Sequence, residues 1–218
     1  MISTDFWSPI LLSFKVNAVA SLIAFAAATA FAWWLKDRSF PGKTILETLL
    51  MLPLVLPPTV VGFGLLVLLG RNGPVGRFVE WLWHQPVIFT WWAAVVAAAV
   101  VAFPLMYQTF KAGFESVDRD LEDAARAMGA GEGQVFRHVT LPLSWRFLLT
   151  GTVLGFARGI GEFGATLMVA GNIPGETQTV PTAIYIAVET GRMDLAASWV
   201  LAVVFLSFLL LGIVQRMK

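Results

Sequence analysis

Arg158 and Glu162 lie four positions apart inside an apolar run, so a helix would set them on one face as an i, i+4 pair. A lone charge in a bilayer costs at least about 2.5 kcal/mol, so neither should face lipid. Two uses stay open for them: a self-neutralising structural pair, or a functional one, as a gate or an anion-facing pair. Other reactive chemistry is sparse. The chain has no cysteine, which removes thiol chemistry, disulfides and cysteine–metal sites. Its two histidines, His84 and His138, fall in different loops, far from a shared metal or a nucleophile–base pair. Gly42-Lys43-Thr44 mimics the tail of a phosphate-binding loop, but Asp37 stands where that motif needs its first glycine, and no strand precedes it. No catalytic residue, metal ligand or cofactor site is expected in this chain, and any ATP must be bound by a partner.

These residues must be positioned by membrane helices. The 218 residues are 57% hydrophobic and only 13% charged, with a mean hydropathy of +0.75. A soluble domain carries about 25% charged residues. The excess apolar surface cannot be buried in one small core, so part of the solvent must be lipid. A net charge of +1 gives no reason to expect a nucleic-acid partner. A crossing helix needs about 20 mostly apolar residues. Five segments qualify, over about residues 10–35, 48–69, 90–110, 147–170 and 195–214. Backbone polar groups in lipid must pair within their own segment, so each span should be helical. The expected fold is an all-α integral membrane protein, a polytopic bundle of five transmembrane helices in a single domain over residues 1–218.

Basic residues set the direction. Lys36, Arg38, Lys43, Lys111, Arg119, Arg126, Arg137, Arg146, Arg216 and Lys218 fall on one side of such a bundle, against Arg71, Arg77 and Arg192 on the other. The first side is expected to be cytoplasmic, with the N-terminus outside and the C-terminus inside. Trp7, Trp33, Trp34, Trp91, Trp92, Trp145 and Trp199 cluster at span ends, where indole rings favour the headgroup level. Asp5 and Lys15 disrupt any cleavable signal pattern, so the first span is expected to stay as an anchor.

The longest inner loop, 111–146, is patterned. Leu121, Ala124, Ala125 and Met128 recur at i, i+3, i+4 and i+7 and share one helical face. Asp118 is a fitting N-cap, and Gly129 and Gly131 stop the helix, with positive φ expected at Gly129. A second short helix should carry Val135, Phe136 and Val139 on one side, before Pro142 leads to the fourth span. Within the spans, Pro53, Pro57 and Pro58 predict a kinked or unwound second helix. That break either lines a pathway or is a packing kink. Gly151, Gly155 and Gly159 form a stripe that permits close approach of another helix.

The spacing Asp123-Ala124-Ala125, Gly129, Val139, Leu141-Pro142 resembles the Glu-Ala-Ala signature of type I ABC importer permeases. Asp123 stands for the usual glutamate and Val139 for isoleucine. Leu52 to Gly62, Phe40 to Lys43, Ala157 to Leu167 and the Gly171-Asn-Ile-Pro-Gly-Glu-Thr-Gln-Thr run look like the permeases of molybdate importers, and this likeness runs nearly end to end. Sulfate and tungstate permeases share the Gly161-Glu162-Phe163-Gly164 neighbourhood. The resemblance implies that residues 111–146 form a coupling loop docking on a separate ATPase subunit, with Asp123, Ala124, Ala125, Gly129, Val139, Leu141 and Pro142 as its motif. It further implies a homodimer, two cytoplasmic ATPase subunits that hold ATP–Mg, a periplasmic or lipid-anchored oxyanion-binding protein, and the cytoplasmic (inner) membrane as location. Pro57, Pro58, Arg158 and Glu162 are the candidate pathway or gate residues.

Overall fold

A computed structural model describes residues 2–216; Lys218, counted in the charge bias, lies outside them, and side chains are described from residue 6 onward. In chain order the helices are α1 (Ile2–Lys36), α2 (Lys43–Val55), α3 (Pro58–Leu69), α4 (Pro74–Trp83), α5 (Trp91–Glu115), α6 (Arg119–Ala127) and α7 (Glu132–Val135). A π-helical turn (Phe136–Thr140) follows, then α8 (Leu141–Leu143), α9 (Trp145–Ile160), α10 (Gly164–Ala170), α11 (Val180–Glu189) and α12 (Met193–Arg216). No strand occurs among the described residues.

Among the described residues three helices, α1, α5 and α12, are long and apolar enough to cross a bilayer unaided, and the number rises to five if the bent pair of α2 and α3 and the bent pair of Glu132–Leu143 and α9 each count as one crossing. α1 begins well before the expected residue 10. Its rise from Lys15 to Lys36 is about 31 Å at 1.5 Å per residue, close to the hydrocarbon thickness of about 30 Å. Lys15 Nζ lies 4.0 Å from the centre of the Trp91 ring, so the lysine that interrupts the apolar run sits beside an aromatic residue at a span end.

The second span is broken at Leu56–Pro57, where α2 and α3 meet at 116°. Pro57 and Pro58 each push the preceding residue out of the helical region. Leu56 (ψ 145°) and Pro57 (ψ 138°) are accordingly extended, while Pro58 opens α3, where a missing N–H costs nothing. Pro53 stays inside α2. α2 and the start of α3 together reach along the length of α5. Glu47 of α2 reaches Lys111 at the basic end of the bundle, and Val61 of α3 packs with Ala93 and Ala94 at the opposite end.

The fourth span departs from the expectation of one helix over 147–170. It stops at Ile160 and restarts at Gly164. Gly159, Gly161 and Gly164 weaken the helix here, and the Glu162 carboxylate takes the Ala165 N–H at 2.9 Å, capping the new helix from inside the chain. The stretches 70–89 and 171–194, expected as loops, hold α4 and α11. α11 is fixed by distant partners: the Val180 N–H donates to the Ser13 hydroxyl, and α11 shares a cluster with Trp199, Phe6 and Ile10.

α5 is the central post, buried along most of its length. On one side α1 offers Val16, Ala20, Ala24, Ala28 and Ala32, a ridge of small residues at a spacing of four, all buried. On the other side lies α9, and its glycine stripe is the contact. A Cβ added at Gly155 would stand 2.5 Å from the Met106 side chain, and one at Gly151 2.8 Å from Phe110. The stripe thus serves packing within one chain, which close backbone approach requires. By contrast α12 exposes Leu201, Val204, Phe205 and Phe208.

Candidate functional site

Two places gather the residues singled out by the sequence. The first is the hairpin after α5. The Asp118 side chain caps α6 by accepting the Asp120 N–H at 3.0 Å. α6 ends at Ala127, and Gly129 takes φ +91°. The Gly129 and Ala130 N–H groups return to the Arg126 and Ala125 carbonyls, so the last turn is closed in the manner of a glycine C-cap. The second arm then runs from Glu132 to Leu143 and meets α9 at 73°. Arg126 clasps the two arms, with Nη1 2.7 Å from Asp123 and Nε 2.8 Å from Glu132. The Arg126 hydrogen bonds hold the Glu132 carboxyl below the usual carboxylate range and raise the guanidinium further above its own.

The motif residues divide by environment. Ala125 is buried, Val139 and Leu141 are half-buried, and Asp123, Ala124, Gly129 and Pro142 are exposed. The predicted apolar face of α6 does not close on the protein. Of its four members only Ala125 is buried, whereas Leu121 is 50% and Met128 83% exposed. The acid that α6 buries is Glu122, the neighbour of the motif's Asp123. Glu122 Oε1 lies 2.6 Å from Lys36 Nζ and accepts the Thr140 hydroxyl at 2.6 Å. The sequence offered one local sign of this, since Glu122 and Ala125 are three apart, but the partner Lys36 is 86 residues away.

The second place is where the two broken spans touch. A Cβ at Gly164 would come within 2.9 Å of Pro58 Cβ, and one at Gly62 within 2.8 Å of Ala165 Cα. The break at Pro57–Pro58 and the break after Glu162 therefore lie side by side. Arg158 Nη1 pairs with Glu162 Oε2 at 3.0 Å; the carboxylate is 1% exposed and the guanidinium side chain 32%. The pair forms as the spacing predicted, and Glu162 has the added task of capping α10. Unwound backbone inside a membrane is tolerated where it packs on protein or lines a cavity. Elsewhere, Lys43 of the mimic loop donates to the Arg38 carbonyl and approaches Glu47 at 4.0 Å, as an ordinary turn residue. No group of three or more metal-binding side chains occurs among the described residues.

A bundle of long apolar helices, with the break after Val55 and the break after Ile160 side by side and a clasped hairpin at its basic end, defines a polytopic membrane protein. The chain belongs to the family of binding-protein-dependent transport system inner membrane components, whose model matches residues 20–217. It is 54% identical to the permease protein YvgM of Bacillus subtilis (strain 168), assigned by its name to a molybdenum transport system, over 99% of this chain and 95% of that protein. It is 49% identical to the molybdenum transport system permease protein ModB of Escherichia coli (strain K12), over 87% of this chain and 83% of that one. The sulfate transport system permease protein CysT of Salmonella typhimurium is 35% identical over 91% of this chain and 72% of its own length. Among solved structures, a bacterial alginate ABC transporter in complex with an alginate pentasaccharide-bound periplasmic protein has the same fold, with a TM-score of 0.72 at 15% identity over 96% of this chain and 77% of the other.

Proposed function

We propose that this chain is the permease subunit of an ATP-driven importer and carries molybdate across the cytoplasmic membrane by alternating access. The observation that supports this most is the near full-length identity of about one half to permease proteins named for molybdenum transport. In this reading two copies of the chain form the pathway, and two cytoplasmic ATPase subunits bind ATP–Mg. A periplasmic or lipid-anchored oxyanion-binding protein delivers the ion. The α6 hairpin docks on the ATPase with its exposed face of Leu121, Ala124 and Met128. The Asp123, Ala125, Gly129, Val139, Leu141 and Pro142 positions set the shape of that hairpin. The paired breaks at Pro57–Pro58 and Arg158–Glu162 line or gate the passage. Sulfate and tungstate are the rival cargoes, since the sulfate permease relative is also similar over most of the chain.

Uptake in a strain lacking its own molybdate permease separates sulfate from the other two. Restored accumulation of labelled molybdate that an excess of unlabelled molybdate or tungstate suppresses, and the same excess of sulfate does not, is the expected result. Suppression by sulfate alone would reassign the cargo. The orientation follows the basic residues, with the N-terminus outside and the C-terminus in the cytoplasm. A cysteine added after the last residue should react with an impermeant thiol reagent only once the cells are opened. Labelling in intact cells would reverse the topology.

A further inference from the structure

Lys36 closes α1, Glu122 sits inside α6, and Thr140 ends the π-helical turn, so three separate segments converge on one carboxylate oxygen. The Lys36 and Glu122 side chains are 3% and 2% exposed, and Thr140 is fully buried. Lys36 Nζ also lies 5.5 Å from the centre of the Trp33 ring. The Thr140 carbonyl accepts the Ser144 hydroxyl at 2.6 Å, and Ser144 stands at the elbow where the chain turns into α9. A continuous run of polar bonds therefore links α1, α6 and the start of α9. An exposed contact, Arg119 to Asp37 at 3.5 Å, spans the same gap but is too solvated to hold it.

A buried ion pair is a poor way to gain stability, because apolar residues of similar volume often do as well or better. What an ion pair adds is direction: its bonds resist sliding, whereas an apolar contact tolerates it. We propose that the Lys36–Glu122–Thr140 cluster is the joint that passes displacement of α6 to α1 and α9, with Glu122 as its positioning residue. This rests on the reading of the hairpin as the element that docks the ATPase. α1 and α9 flank α5 along its length, so a shift delivered through this joint reaches both faces of the central post.

The permease, its ATPase subunits and a molybdate-loaded binding protein, reconstituted in liposomes, give uptake and ATP hydrolysis in one sample. A Lys36→Met/Glu122→Met variant strands no charge and should assemble with the ATPase. Its uptake per ATP hydrolysed should fall by about tenfold, within the usual range of coupling between sites. Thr140→Val removes only the hydroxyl and should lower the same ratio by about fivefold, while Thr140→Ser keeps it. Should the double variant fail to assemble, the Thr140 pair decides. An unchanged ratio in Thr140→Val overturns the joint. If the unaltered complex neither imports molybdate nor hydrolyses ATP in response to loaded binding protein, the permease reading fails and the joint falls with it. An unaltered complex that does both, beside variants of equal ratio, sinks the joint alone.

Discussion

Arg158→Met is expected to destabilise the protein by about 3 kcal/mol, the lower part of the range for breaking a buried ion pair, because the guanidinium is partly solvated. The asymmetry of burial sets the direction. Glu162 is 1% exposed and Arg158 32%, so losing the arginine leaves a carboxylate enclosed with only the Ala165 N–H for compensation. Glu162→Gln should cost less. The amide oxygen can still accept from Ala165 or from Arg158, and the guanidinium left behind has access to water. In the Arg158→Met/Glu162→Gln double variant no charge remains to be buried, so stability should return most of the way. Thermal unfolding of the purified protein in detergent gives the three values, and molybdate uptake gives the three activities. If stability recovers in the double variant but uptake does not, the pair faces the transported ion. If both recover, it is a structural cap for α10. A double variant as unstable as Arg158→Met would mean that the two residues hold something other than each other.

How far the sequence foretold these sites depends on the range of the interaction involved. Spans were legible because a lipid crossing demands about 20 mostly apolar residues in a row. The break at Pro57–Pro58 was legible because proline acts on its immediate neighbour. The break after Ile160 was missed although its causes are local, namely Gly159, Gly161 and Gly164 and a Glu162 carboxylate that accepts the N–H of Ala165 three residues on. α11 lies in the stretch between the fourth and fifth expected spans, and what holds it, Ser13 and Phe6, comes from the other end of the chain. The hairpin shows both outcomes within a few residues. Asp118 and Gly129 act locally and stand as expected, one as cap and one with positive φ. Periodicity grouped Leu121, Ala124, Ala125 and Met128 on one face but could not say what covers it. Inside the chain it stays open, and the packed side carries an acid instead. Choosing between Glu122 and Asp123 needed Lys36, and no local pattern points to a partner that distant.

Gly129→Val should abolish ATP-dependent uptake while leaving the amount of protein in the membrane near normal. Gly129 has φ +91°, and a Cβ built there meets nothing within 4 Å. The obstacle to a side chain is therefore the backbone conformation itself rather than a neighbour. A left-handed conformation costs an L-residue roughly 1–2 kcal/mol, and a β-branched one is worst placed to bear it. Asparagine visits that region readily, so Gly129→Asn should retain much of the activity and Gly129→Ala should fall between. The span helices are held by α5 and its neighbours, not by this turn, so insertion does not depend on it. The second arm of the hairpin does depend on it. If the turn relaxes, Glu132 leaves the reach of Arg126, and the segment from Glu132 to Leu143 is re-aimed relative to α6. A partner shaped to both arms then loses its seat, so co-purification of the ATPase subunit should fall in parallel with uptake. The graded order Gly, Asn, Ala, Val separates a conformational requirement from a requirement for a small residue, which would rank alanine above asparagine. A Gly129→Val protein that keeps both its bound ATPase and full transport would remove this hairpin from the coupling pathway.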